Sequence, residues 1–286
     1  MGAPVSPNQS GQELVQLHAE SPFELRVRMG RNAPESEVRS ALASGEMGFI
    51  HSFTTGSAVD GPGVRVVAWT TGCLWRCLYC HNPDTWTLTN GIPVTLTQAI
   101  EALRKYSYGL KLMSGGFTLS GGEPLLQDRF AVKLLGAARE MGIHTALDTN
   151  GYLGERLSDG ELDAIRLCLL DIKTWDRERH RRLTGMDIEP VLQFARRLSR
   201  HKKPVWLRFV LVPGLTDNFE DVGNIADFAA DLGVVERVDV LPFHQMGRFK
   251  WKTLGLKYEL EKTNPPSAGL VEKVCSRFRQ SGLIAY

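Results

Sequence analysis

Val64-Arg65-Val66-Val67-Ala68-Trp69-Thr70-Thr71-Gly72-Cys73-Leu74-Trp75-Arg76-Cys77-Leu78-Tyr79-Cys80 joins one short apolar run to three cysteines within eight residues. The run, Val64 to Trp69, has the length of a buried strand, and Thr71-Gly72-Cys73 ends it. The theme returns along the chain. Gly116 to Leu119 ends in Ser120-Gly121-Gly122-Glu123, His144 to Leu147 in Asp148-Thr149-Asn150-Gly151, and Leu167 to Leu170 in Asp171-Ile172-Lys173. Val205 to Val212 ends in Pro213-Gly214, and Val238 to Leu241 in Pro242-Phe243-His244. Segments of helical period lie between them: Thr97 to Tyr106, Arg129 to Met141, Asp159 to Arg166, Pro190 to Arg200 and Phe219 to Leu232. Thr95 or Thr97, and Asp217 or Asn218, stand where N-caps belong. Strands alternating with helices call for parallel pairing and right-handed crossovers, so six such units predict an α/β fold, a partial (β/α)6 barrel of TIM type. The carboxyl ends of such strands open on one face, which should gather the polar motifs around a single pocket.

Outward from that core, composition sets limits. The 286 residues carry 34 Lys and Arg against 32 Asp and Glu, a net charge of +2, which gives no strong field for nucleic acid or an anionic membrane. Hydrophobic residues at 43% and charged ones at 23% suit a globular, soluble chain, and no run approaches the roughly 20 apolar residues of a membrane span. Met1 to Gly48, rich in Ser, Pro, Gly, Glu and Arg, reads as a largely irregular, flexible N-terminal extension, with a helix possible from Pro34-Glu35 through Val38 and Leu42. It lacks the apolar centre of a secretory signal, and its glutamates are unusual in a transit peptide. A cytoplasmic protein is expected, with organellar targeting left open. The domain proper is expected over 49–286.

Five cysteines, at 73, 77, 80, 168 and 275, are too few and too unevenly placed for a disulfide framework. Cys168 and Cys275 read as small core residues. Cys73, Cys77 and Cys80 form a C-x3-C-x2-C loop of soft ligands, suited to iron and sulfide or to zinc. Zinc would need His81 as its fourth ligand, directly after Cys80 and without the usual paired spacing. A 4Fe-4S cluster on three thiolates keeps one iron open to a ligand, which is a catalytic design.

The loop resembles the mark of the radical S-adenosylmethionine (SAM) enzymes, and the resemblance extends well beyond it. Ile50-His51-Ser52-Phe53, Val59-Asp60-Gly61-Pro62-Gly63, Arg76 through Asn82, Ser120-Gly121-Gly122-Glu123, Leu147 through Gly151, Val212-Pro213-Gly214, and Leu241-Pro242 with His244 are similar to the glycyl-radical enzyme activases, in their pyruvate formate-lyase branch. The match runs in register from about residue 49 to the C-terminus. Relatives that activate other partners insert a ferredoxin-like module with more cysteines, and Asn82 to Leu119 has none.

The resemblance implies a radical SAM core in which Cys73, Cys77 and Cys80 hold three irons and SAM chelates the fourth. Reduction of the cluster would cleave SAM to methionine and a 5'-deoxyadenosyl radical, which takes an α-hydrogen from a glycine of pyruvate formate-lyase. It also implies that Tyr79, Cys80, His81, Gly121, Gly122, Asp171, Ile172, Lys173, Arg208 and His244 contact SAM. A sodium or potassium ion would sit at Asp148, Thr149, the Leu169 carbonyl and Asp171, and Asp60 would meet a basic residue of the partner's glycine loop. From the residues alone, Arg208 inside an apolar strand needs an anion, which a barrel Asp supplies as well as a cofactor does. The neighbouring Asp148 and Asp171 need a proton, a base or a cation between them. The basic stretches Arg177 to Arg182 and Arg196 to Lys203 read as solvated helix faces, or as a docking site for an acidic electron donor such as flavodoxin or ferredoxin. A monomer is expected. Two alternatives stay open: a radical SAM enzyme acting on another glycyl-radical protein or a small molecule, and a zinc-stabilised binding module.

Overall fold

The computed structural model describes residues 35–286. Its centre is an eight-stranded sheet in the order β3-β1-β2-β4-β5-β6-β7-β8, with β1 Met47–Ser57, β2 Arg65–Thr70, β3 Ile92–Thr95, β4 Gly116–Gly121, β5 His144–Thr149, β6 Leu167–Asp171, β7 Val205–Leu211 and β8 Val235–Pro242. β2 and β4 through β8 are parallel, pair after pair, and are the strands expected from the apolar runs. β1 and β3 are additions that extend the β2 edge in antiparallel fashion.

The helices are α1 Glu35–Ser44, α2 Leu96–Arg104, α3 Ser107–Leu112, α4 Asp128–Glu140, α5 Arg177–Thr184, α6 Glu189–Arg200, α7 Phe219–Asp231, α8 Arg248–Thr253 and α9 Ala268–Gln280. α2 opens on a capping box in which Thr95 and Gln98 satisfy each other's backbone N–H groups. Asp176, Asn218 and Ser267 cap α5, α7 and α9 in the same way from one side. The helix expected over Asp159 to Arg166 is only a 3-10 turn, Glu161–Ala164. Arg166 N already bonds Thr145 O there, so the chain is drawn into β6 before a second turn can form. α1 and the start of β1 fall inside the stretch read as extension, and α1 packs on α4. The remainder of that extension, 1–34, lies outside the described residues.

Alternation along β7 shows how the layers divide. Val205, Leu207, Phe209 and Leu211 are buried toward the helices, while Trp206, Arg208 and Val210 face the concave side. The outer layer joins residues such as Phe117, Leu119, Leu170 and Phe209 to Leu134, Leu198, Ile225 and Phe278, each worth about 1.5–3 kcal/mol on burial. Inside the curl, Ala146, Leu167, Leu169 and Trp206 form a small apolar plug. Arg65 closes the far end. Fully buried, it donates to Thr118 Oγ1, Pro62 O and Phe117 O, and burial lowers its pKa to about 10 although Asp60 pulls the other way. These bonds, with Thr118 Oγ1 donating to Asp60 O, pin the 57–63 loop against the inside of the sheet. The last residues pair outside β8, Val240 N donating to Tyr286 O at 3.0 Å.

Candidate active site

The ends of the parallel strands line one cavity of about 460 Å3. Into it come Cys73, Cys77 and Cys80 after β2, Gly121 and Gly122 at β4, Asp148 and Thr149 at β5, Asp171 and Lys173 at β6, Arg208 on β7 and His244 after β8. Tyr79, His81 and Asp60 border it too. Of the residues singled out in the sequence, Ile172 and Leu169 stand apart. Ile172 is buried in the outer core and Leu169 in the apolar plug, so only their backbones can serve the site.

The cysteine loop is held by its own backbone. Gly72 N and Cys73 N donate to Thr85 O and Trp86 O, while Arg76 N and Leu78 N reach the end of α5 at Thr184 O and Leu183 O. Arg76 turns back to donate to the carbonyls of Cys73 and Trp75 and lies over the Trp86 ring. Burial raises all three thiols, Cys77 to about 12. Thiols so placed stay protonated until a metal displaces the protons, and three of them from one loop leave a metal position open. Among the described residues, no three His, Cys, Asp or Glu side chains are gathered closely enough to grip a single ion. His81 is occupied by His244, its ring stacked at 4.2 Å and its Nε2 3.2 Å from the His244 carbonyl oxygen, an arrangement that does not complete a zinc site. The donor set fits a cluster better than zinc.

Opposite the cysteines, Gly121 and Gly122 make a cradle with no side chain. Gly121 has φ +131°, and a Cβ there would fall 2.2 Å from the backbone of Thr70; one on Gly122 would fall 2.5 Å from Gly72 O. Glu123, which the sequence reading gave no role of its own, braces this cradle. Its buried carboxylate accepts from Leu125 N at 2.9 Å, Thr149 Oγ1 at 2.6 Å and Asn150 N at 2.8 Å, tying β4 to β5. Burial pushes its pKa up to about 7 against those three bonds.

The charged groups are matched in pairs. Lys173 meets Asp171 at 2.8 Å; burial alone would lower the ammonium, but Asp171, Tyr79 and Cys77 hold it above its ordinary value. Arg208 donates to Asp148 at 3.0 Å and lies 3.6 Å from Asp60, and Asp148 also accepts from Ser120 Oγ at 2.6 Å. Burial would lower Arg208, yet Asp148, Asp171 and Asp60 raise it. Of the anions weighed for Arg208, the structure supplies barrel aspartates. Each carboxylate of the Asp148–Asp171 pair thus has its own cation. Asp60 is almost wholly buried and accepts from Ser57 Oγ at 2.6 Å, so a basic residue would reach it from within the cavity and not at an open mouth.

A clamp that the sequence did not reveal closes the barrel across its top. Asp84 accepts from Lys250 at 2.9 Å and pairs with His51 Nε2 at 2.9 Å; Lys250 also donates to Asn82, and Trp251 to Cys80 O. Burial would raise Asp84, but the bonds from His51 and Lys250 outweigh it and hold the carboxyl below its ordinary value. A depressed carboxyl stabilises the fold above its unfolded pKa, and that contribution is lost as pH falls through the folded one. Lys250→Met is therefore expected to cost about 2 kcal/mol near neutral pH. In urea unfolding its deficit should shrink as pH drops below 3.8, the unperturbed value for Asp84; a deficit independent of pH would contradict the clamp.

Three comparisons place this geometry among known proteins. The radical SAM superfamily model matches residues 67–229. The pyruvate formate-lyase-activating enzyme of Staphylococcus aureus (strain USA300) is 44% identical over 226 residues, 77% of this chain and 90% of that protein. Among solved structures, a domain of pyruvate-formate lyase-activating enzyme from Bacteroides vulgatus ATCC 8482 shares 26% identity at a TM-score of 0.50, covering 60% of this chain and 98% of the other. Streptococcus suis SuiB bound to precursor peptide SuiA, at 18% identity and a TM-score of 0.58 over 77% of this chain and 47% of its own, shares the fold alone. With the family match spanning over half its length and that identity to a full-length relative, the chain belongs to the radical SAM superfamily and, within it, to the family of the pyruvate formate-lyase-activating enzymes.

Proposed function

We propose that this protein activates pyruvate formate-lyase under anaerobic conditions by generating a radical on one of its glycines. The observation that carries the reading is the convergence of three thiols and a side-chain-free glycine cradle on one cavity. A 4Fe-4S cluster on Cys73, Cys77 and Cys80 would supply the electron that cleaves the sulfonium bond of SAM, with methionine and 5'-deoxyadenosine as products. The chain's own residues position the reactants. The Gly121-Gly122 backbone approaches the methionine end of SAM, Lys173 and Arg208 supply cations for its carboxylate, and Asp171 accepts from its hydroxyls. Tyr79 and the stacked His81 and His244 wall the adenine side. A sodium or potassium ion at Asp148, Thr149, the Leu169 carbonyl and Asp171 would join a site whose carboxylates are already paired, so potassium should alter SAM affinity only after Arg208 swings away from Asp148.

The electron donor in this reading is a small redox protein such as flavodoxin or ferredoxin. Most arginines of the basic stretches are paired within the chain: Arg177 and Arg196 with Glu189, Arg179 with Asp221, Arg181 with Asp187, Arg197 with Asp159. Such faces steer an acidic donor weakly, and nothing in them favours nucleic acid. The reading takes the protein as a monomer acting in the cytoplasm; no helix among the described residues is long and apolar enough to cross a membrane. The test is anaerobic reconstitution with iron and sulfide, then reduction and mixing with SAM and pyruvate formate-lyase. The expected result is a glycyl-radical doublet in the electron paramagnetic resonance spectrum with release of 5'-deoxyadenosine. Deoxyadenosine without the doublet would move the activity to another substrate.

A further inference from the structure

We propose that the knob formed by residues 245–263 is the docking face for the electron donor, an acidic one-electron carrier protein; the inference rests on the reading of the cysteine loop as a cluster site that such a protein reduces. The knob is one unit. Gln245 Nε2 donates to the carbonyls of Leu260, Glu261 and Thr263 at 2.8–3.0 Å, and Arg248 pairs with Glu261 at 2.6 Å, so the stretch after α8 folds back over its start. Its inner side rests on the cysteine loop. Trp251 Nε1 donates to Cys80 O at 2.8 Å, and Gly247 lies so close that a Cβ there would fall 2.7 Å from His81 Cα. Its outer side is apolar and cationic. Met246 and Phe249, one turn apart, are 73% and 57% exposed, and Leu254 follows at 41%. Lys252, three positions after Phe249, and Lys257 and Lys262 are exposed with no ion-pair partner among the described residues, against one such acid in the knob, Glu259. Arg76 carries the charge onto the cysteine loop itself. It is exposed, its guanidinium is bonded only to carbonyls, and it lies over Trp86, which meets Trp251 edge-on at 5.1 Å. An exposed apolar centre flanked by uncompensated cations fits an acidic protein. Its modest extent suits an electron carrier, whose brief encounters use the smallest interfaces. One electron leaves the docked donor and enters the cluster, with no bond made or broken, and the Trp251–Cys80 hydrogen bond links the face to a cluster ligand.

The test measures binding of oxidised flavodoxin, and separately of oxidised ferredoxin, to the reconstituted full-length protein by calorimetry, alongside the rate at which each reduced carrier reduces the cluster. In Lys252→Glu/Lys257→Glu, affinity and reduction rate should both fall by about tenfold or more at low salt, and the gap to wild type should close as salt rises. Phe249→Ala should cost affinity at every salt concentration. Dithionite should still reduce the cluster of these variants and support SAM cleavage at the wild-type rate. Arg182→Glu/Lys202→Glu, the same charge change at exposed positions of the two basic stretches, is the control and should bind the carrier as wild type does. If charge reversal loosens the knob, as seen in thermal melting, Lys252→Gln/Lys257→Gln decides, with a smaller loss of the same sign. Unchanged binding in the folded knob variants overturns the proposal. So does an equal loss in the control, because diffuse charge then suffices, and so does a wild-type protein that binds neither carrier. Loss of dithionite-driven radical formation on pyruvate formate-lyase with carrier binding intact also overturns it, because the face then belongs to that protein. A chain that takes up no cluster overturns this inference together with the reading beneath it, whereas a wild-type protein that binds the carrier and makes no glycyl radical overturns the proposed function alone.

Discussion

Cys77→Ser is expected to leave a folded, colourless protein that holds no intact cluster and cleaves no SAM. The fold should survive because the loop is anchored through backbone groups, Arg76 N to Thr184 O and Leu78 N to Leu183 O, and not through the thiol. Serine is close to cysteine in size, and its hard oxygen is a poor ligand for this chemistry. Losing an outer-shell partner of a metal ligand typically costs about 10–100-fold in affinity or activity, and losing one of three ligands outright should exceed that. Iron content, visible absorbance and thermal melting measured on one preparation check the result. A brown, active serine variant would mean that Cys77 is not a ligand; an unfolded one would mean that its burial matters more to the chain than its chemistry.

Gly121→Ala should do the reverse, sparing the cysteines and ruining the cradle. At φ +131° an alanine is strained by about 1–3 kcal/mol, and its Cβ would press on the backbone of Thr70, one of the strand bonds that position β4 against β2. The β4 end must shift, and Glu123 cannot follow without taking the acceptor away from the Thr149 hydroxyl and from Asn150 N. SAM binding is expected to weaken more than tenfold while iron content is retained. Gly136, half-buried on α4 with nothing within 4 Å of where a Cβ would stand, is the control: alanine there should stabilise the protein by about 0.5–1 kcal/mol. Equal SAM affinity in Gly121→Ala and wild type, measured by calorimetry, would show that the cradle is not where SAM lies.

The parallel strands were legible because each is an apolar run bounded by a turn, and because polar motifs at strand ends must share a face once the strands are parallel. The site followed from that topology. β1 was not legible: its buried residues stop at Ile50, and Thr54, Thr55 and Gly56 are exposed, which breaks the alternation of a strand. α9 was readable in principle, since Ser267 precedes apolar residues at Leu270, Val274 and Phe278. The braces behind the site were not. Glu123 bonds 26 and 27 positions away, and Lys250 finds Asp84 across 166 residues, pairings that exist only once the sheet has curled.

The most direct test of the central claim follows one hydrogen atom. Pyruvate formate-lyase prepared with glycine deuterated at the α-carbon is mixed anaerobically with the reduced, reconstituted protein and SAM, and the released 5'-deoxyadenosine is weighed by mass spectrometry. One deuterium per nucleoside is the result expected if the cavity built from Cys73, Cys77, Cys80 and the Gly121-Gly122 cradle delivers its radical to the partner's glycine. Unlabelled 5'-deoxyadenosine, formed at the same rate with or without the partner, would contradict it.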